Sequence, residues 1–102
     1  MKMFIVTTVL EDLERTTRVF EEAQIPVFSV MDMIGHKSED HNYLLESWFA
    51  RSAEQTSSLF FFSFTSDDKA ANAMKLIEKA NAVKPDGFPM RAFILPVESS
   101  SH

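Results

Sequence analysis

Four short apolar stretches of the chain have the length and the residue types of β-strands. They are rich in β-branched and aromatic residues, which favour extended backbone. Residues 58–66 (SLFFFSFTS) are the clearest case, because they contain four phenylalanines and have polar residues at both ends. The other three stretches are 2–9 (KMFIVTTV), 27–34 (VFSVMDMI) and 90–98 (MRAFILPVE). The pattern therefore predicts four strands.

Two further stretches repeat apolar residues at helical spacing. The first predicts a helix from about 11 to 24, whose inward stripe is Leu13, Thr17, Phe20 and Ala23. This helix should end before Pro26, because proline disfavours helical backbone in the residue before it.

The second predicted helix begins after Ser66, whose side chain can cap it, and ends near Val83. Asp67 and Asp68 are favourable at the positive end of its dipole. Its predicted buried stripe is Ala70, Ala73, Met74, Ile77 and Ala80.

The elements succeed one another in the order βαββαβ. Two strand–helix–strand halves of this kind build a four-stranded antiparallel sheet with two helices on one face. The sequence therefore predicts an α+β, ferredoxin-like fold in a single domain, residues 1–98, with a disordered tail at 99–102. Between the middle strands, where a hairpin needs about two to five residues, the chain has a long loop insertion at 35–58.

The predicted strands are apolar on both faces. A sheet with helices on one side and water on the other should alternate apolar with polar residues. The third strand instead places Phe60, Phe62 and Phe64 on one face and Leu59 and Phe61 on the other. Leaving such side chains in water would forgo about 1.5–3 kcal/mol each. We therefore expect other copies of the chain to cover the helix-free face; the alternative is that the insertion folds over it.

Composition narrows the partners and the location. The net charge is −5, and ten acidic residues face five basic ones in 1–57 without any basic stripe, so no nucleic acid is expected to bind. No apolar run approaches the ~20 residues that span a bilayer, and nothing resembles a secretion signal, so we expect a cytoplasmic protein that is not inserted in a membrane. The absence of cysteine excludes disulfides and zinc–thiolate sites.

Three stretches resemble the PII-like signalling proteins, relatives of the nitrogen-regulatory PII trimers. MKMFIVTTV resembles the family's first strand, IPVFSVMDMIGHK its second strand with the base of a loop, and PDGFPMRAFILPVE its last loop and strand. The similarity extends through about Glu98 and identifies the chain as a divergent member. The resemblance implies a non-catalytic regulatory protein, in which a homotrimer has its sheets facing inward.

The resemblance also implies a role for the insertion. In the family, the equivalent segment is the T-loop, a mobile arm that docks onto partner proteins. The partner expected for this chain could itself be membrane-bound. Residues 36–57 would then bind a partner protein, with Tyr43, Trp48 and Phe49 in the partner-binding loop. From the residues alone, Trp48 and Phe49 could equally pin the arm to its own trimer, although tryptophan is enriched at interface hot spots.

Small effectors, typically adenine nucleotides, bind in this family in clefts between subunits, between the base of the T-loop and a second loop, the B-loop. Gly35 and Gly87 are the only glycines and fall at those two places; glycine suits positive φ or close approach of a ligand, and a plain turn is the alternative. The effector-binding residues implied here are Gly35, His36, Lys37, Lys84, Asp86, Gly87 and Arg91.

The chain departs from the family pattern where phosphates would bind. The pattern Gly-x-Gly-Arg is Gly-His-Lys-Ser at 35–38, and Gly-Asp-Gly-Lys is Pro-Asp-Gly-Phe at 85–88. The arginines that come after the last strand in nucleotide-binding members are missing. Lys37, Lys84 and Arg91 are the cations that could substitute. We therefore expect weak or absent ATP binding, and the cofactor is unknown.

Two alternatives of other classes stay open. The first is a small ferredoxin-like enzyme of the cofactor-free monooxygenase type, which would use an apolar pocket between sheet and helices and would normally be a dimer. The second is a CutA-like divalent-metal-binding protein, with His36 and His41 beside Glu39 and Asp40 as ligands. No nucleophile motif, phosphate-cradling glycine loop or HExxH motif is present, so we assign no catalytic residue and no metal site.

Overall fold

The computed structural model describes residues 1–36, 55–83 and 88–102. The elements in that part of the chain are β1 (Lys2–Val9), a 3-10 turn (Leu10–Asp12), α1 (Leu13–Glu22), β2 (Ser29–His36), β3 (Gln55–Thr65), α2 (Asp67–Val83) and β4 (Arg91–Pro96). The strands form one sheet in the order β2-β3-β1-β4, and all neighbours are antiparallel. The predicted ferredoxin-like βαββαβ fold is therefore confirmed.

The strands β2 and β3 extend further into the predicted insertion than the sequence suggests. Their pairing continues through Gly35 with Thr56 and His36 with Gln55. The rest of the insertion, 37–54, lies outside the described residues. The tail at 99–102 carries no helix or strand, and its disorder stays a prediction.

The buried face of α1 differs from the predicted stripe. Phe20 and Ala23 are buried as predicted, but Leu13 is 38% exposed, and Thr16 and Val19 are buried. The buried residues Thr16, Val19, Phe20 and Ala23 still follow the spacing of one helix face, so this face is rotated slightly from the predicted one.

The helix α2 begins and ends where the sequence predicts. The backbone N–H of Lys69 donates to the hydroxyl of Ser66 at 3.3 Å, which confirms the cap. Ala70, Ala73 and Ile77 of the predicted stripe are buried. Neither helix of the described chain is both long enough and apolar enough to cross a bilayer.

The core lies between the sheet and the two helices. The ring of Phe20 packs against those of Phe4, Phe28 and Phe61, with centroid distances of 5.6, 4.6 and 5.6 Å. Leu59 belongs to the same cluster. Leu59 and Phe61 therefore face the helices, and the alternate residues of β3 form the helix-free face.

Candidate functional site

The two predicted functional loops attach at the same end of the sheet. β2 ends there and β3 begins there, and the connection from α2 to β4 lies at that end too. The antiparallel pairing is the reason, since it places the last residues of β1 and β2 beside the first residues of β3 and β4. We call this the loop end of the sheet.

At the loop end, Gly35 and His36 are strand residues. Each pairs with a residue of β3, so the base of the insertion is held as a two-stranded ladder. Gly35 does not adopt positive φ, because a ladder residue needs extended backbone. Of the two uses of glycine that the sequence leaves open, positive φ and close approach of a ligand, an extended strand residue is compatible with the second.

Arg91 begins β4 and is exposed. Its strand and β2 are the two edges of the sheet, with β3 and β1 between them. Neighbouring strands lie about 4.8 Å apart, so the two edges are about 14 Å apart. A single copy therefore does not bring Gly35 and Arg91 together.

The remaining predicted site residues lie outside the part of the chain that the structure describes. These are, for the effector, Lys37, Lys84, Asp86 and Gly87; for the partner, Tyr43, Trp48 and Phe49; and for a metal, Glu39, Asp40 and His41. The side chain of His36 is likewise outside the description.

A side-chain clamp fixes the start of β4. The Asn81 Nδ2 group donates to the carbonyl of Met90, and the Met90 N–H donates to Asn81 Oδ1, both at 2.9 Å. The amide of Asn81 thus pairs with Met90 as a neighbouring strand would. A cleft of about 300 Å³ lies here between α2 and β4, and Arg91 is one of its lining residues. The clamp therefore fixes the backbone immediately before Arg91, beside this cleft.

A second polar network ties the end of β1 to the last turn of α2. Asp12 is 6% exposed, and its carboxylate accepts from the Thr8 hydroxyl at 3.4 Å and from Arg15 Nη1 at 3.2 Å. Arg15 Nη2 also donates to the carbonyl of Ala80 at 2.5 Å. A buried carboxylate requires such partners, and a cation near a helix C-terminus is favourable. The loop end of the helix layer is therefore cross-linked by side chains.

Neither network could be found from the sequence. The clamp joins residues nine positions apart and the Arg15 contact joins residues 65 positions apart, so no local motif marks them. The local signal that the sequence does offer is the spacing of Asp12 and Arg15, three residues apart, which suits an ion pair on a helix.

The helix-free face is apolar and partly exposed. Phe64 is 55% exposed, Met31 49% and Leu95 42%. The rings of Phe60, Phe62 and Phe64 form a row, with successive centroid distances of 5.8 and 6.2 Å. Within the described chain, this row has no helix over it, and it offers a broad surface for packing.

The comparisons with known proteins agree with this fold. No family model and no curated protein matches the chain. Among solved structures, it is similar to CPII, a nitrogen regulatory PII-like protein from Thiomonas intermedia K12, in a structure with bound ADP, AMP and bicarbonate. The TM-score is 0.67 at 7% sequence identity, over 99% of this chain and 93% of that chain. At that identity the similarity establishes the fold alone.

Proposed function

We propose that the chain is a non-catalytic, PII-like regulatory protein that acts as a homotrimer in the cytoplasm. The observation that carries the proposal is the helix-free face, whose exposed phenylalanine row calls for an apolar cover. Copies that pack through this face would form an assembly with sheets inside and helices outside. The full-length similarity in fold to CPII, a nitrogen regulatory PII-like protein, supports the regulatory role.

The proposed effector site lies between neighbouring copies at the loop end. Since β2 and β4 are opposite edges of one sheet, Gly35 and Arg91 of one copy cannot share a ligand. In a closed ring, the β2 edge of one copy can lie beside the β4 edge of the next. Gly35 and His36 of one subunit and Arg91 of its neighbour would then line one cleft, with Lys37, Lys84, Asp86 and Gly87 expected around it.

We expect ATP to bind weakly or not at all. Phe88 stands where the family pattern has its phosphate-binding lysine, and Arg91 is the one cation of the proposed site within the described residues. Calorimetry with ATP, ADP, AMP and bicarbonate at neutral pH tests this, and the last three are included because CPII was solved with them. A micromolar ATP isotherm that disappears in Arg91→Ala would contradict the expectation and would assign the phosphate contact to Arg91.

The insertion is proposed to bind a partner protein. Because His36 and Gln55 still pair, residues 37–54 can be replaced by an Asn-Gly turn that joins β2 to β3 as a hairpin. Loop length itself costs little, roughly 0.6 kcal/mol per doubling, so the fold should tolerate the change. The variant should remain a trimer by light scattering and should lose a partner that the intact chain recovers in a pull-down. Aggregation of the variant would mean that the insertion covers the sheet and is needed for the fold.

The monooxygenase-type alternative needs an apolar pocket between sheet and helices. In the described residues, that space holds the rings of Phe4, Phe20 and Phe61, each 0% exposed and in ring-to-ring contact. These phenylalanines belong to the hydrophobic core, and their close packing gives no support to a substrate pocket among them. A dimer in light scattering would still favour this alternative over the trimer.

A further inference from the structure

A groove on the outer surface runs between the two helices. It is lined by residues from Arg15 to Glu22 of α1 and from Leu76 to Val83 of α2, and its volume is about 250 Å³. Each wall spans two helical turns, which is about 10 Å at ~1.5 Å per residue. The floor is apolar and consists of Val19, Leu76 and Ala80. The groove is therefore long and narrow, with a floor on which an apolar side chain can pack.

The rim of the groove is cationic although the whole chain is acidic. Arg15, Arg18 and Lys79 line it against a single carboxylate, Glu22, whereas the net charge of the chain is −5. Arg15 is paired with Asp12. Across residues 1–36, 55–83 and 88–102, Arg18 and Lys79 form no ion pair. Within those residues, one cation without an ion pair therefore stands on each wall.

The two walls are held at a fixed spacing. The guanidinium of Arg15 is anchored to Asp12 on its own side and donates to the carbonyl of Ala80 on the opposite helix. The groove does not have to be assembled when a ligand arrives. Such preorganisation lowers the entropic cost of binding.

We propose that this groove binds an acidic, amphipathic peptide segment of a partner protein. An apolar side chain of the peptide would pack on Val19 and Leu76, and its carboxylates would meet Arg18 and Lys79. Charge complementarity is the reason for an acidic peptide. The chain as a whole is acidic and repels most other acidic surfaces, but the two cations beside the apolar floor attract a segment that carries both carboxylates and an apolar side chain.

This surface is separate from the proposed effector cleft and from the insertion. The helices lie on the side of the sheet opposite to the helix-free face, so the groove stays accessible when sheet faces pack together. A homotrimer would present three copies of it. A partner with repeated acidic segments would then gain avidity from the assembly.

The test uses the full chain and a fluorescein-labelled helical peptide made of Glu, Leu and Ala, with Leu at three- and four-residue spacing. Fluorescence anisotropy at low salt should give saturable binding. The double variant Arg18→Glu/Lys79→Glu should weaken it by at least about tenfold, which corresponds to ~1.4 kcal/mol. Lys69→Glu is the control, since Lys69 is exposed near the start of the same helix and does not line the groove. It lies ten residues, or about 15 Å, from Lys79 along the helix. At 0.1 M salt, where the Debye length is about 10 Å, it should change the affinity by less than about twofold.

Three results would overturn the proposal. The first is no binding of the peptide at millimolar concentration. The second is an equal loss in Lys69→Glu, which would indicate attraction to any surface cation. The third is displacement of the peptide by citrate alone at equal concentration, which would assign the groove to small anions. A control peptide with Gln in place of Glu should not bind, and its binding would show that the floor acts without the rim.

Discussion

The two faces of the sheet use the same residue types in different surroundings. On the helix side, Phe4 and Phe61 are 0% exposed beneath α1 and α2, whereas on the helix-free side Phe64 is 55% exposed. Residues of the two faces alternate along the same strands and are of the same types, so composition does not explain the difference in exposure. The two helices cover one face, whereas the other has no helix over it in the described residues, and the proposal is that further copies cover it. We therefore expect the helix side to control the stability of the subunit and the helix-free side to control assembly.

The largest effect should come from emptying the helix side. Phe61→Ala removes a fully buried ring that packs on Phe20, and such changes cost about 3–5 kcal/mol because they leave a cavity. Urea unfolding should show this loss directly. Phe64→Ala is the matched control, and its cost to an isolated subunit should be much smaller. Equal losses at the two positions would mean that Phe64 is as well covered as Phe61.

A charge on the helix-free side should act on assembly instead. Phe64→Asp places a carboxylate in the proposed interface, where an unpaired buried charge costs several kcal/mol. In a free subunit the same carboxylate would stay in contact with water. Light scattering should report a folded species of lower mass, with an unchanged circular dichroism spectrum. Ile34→Asp is the control, since Ile34 is 69% exposed and lies on the other face of β2. A wild-type protein that is already monomeric at micromolar concentration would remove the assembly from the proposal.

A smaller effect should result from breaking the clamp that holds β4 to the helix layer. Asn81→Asp keeps an acceptor for the Met90 N–H but sets a carboxylate oxygen against the Met90 carbonyl, where the wild type has a donor. Losing one such bond in a partly buried place costs about 1–3 kcal/mol. Denaturant unfolding at neutral pH measures it. The exposed Asn72→Asp on the same helix should change stability by less than about 0.5 kcal/mol.

The sequence predicts the secondary structure well because its signals are local. The runs of phenylalanine and β-branched residues mark the strands, and Ser66 with the two aspartates after it marks the start of α2. The buried face of α1 could not be predicted closely, because Leu13 and Val19 are both apolar and only packing against the sheet selects between them. The side of β3 that meets the helices was likewise open, because both faces are apolar and only tertiary packing selects between them.

The candidate site is less accessible from sequence than the fold. The resemblance points to Gly35, His36 and Arg91, but their positions on opposite sheet edges depend on strand order, which motifs do not encode. The Asn81 clamp depends on the approach of α2 to β4. The groove cations Arg18 and Lys79 would be read from sequence as ordinary solvated residues, and only the approach of the two helices makes them neighbours.

The strand order also has a consequence for how the protein is made. β1 is synthesised before both of its neighbours in the sheet, β3 and β4, and Lys2 pairs with Thr65 on one side and Pro96 on the other. Until β3 has been synthesised, this apolar strand has no partner in the sheet, and its second edge stays open until β4 follows. Pairing over such separations is slow, and open strand edges promote aggregation in the interval. A chain that stopped before residue 91 would keep one edge of its central strand open.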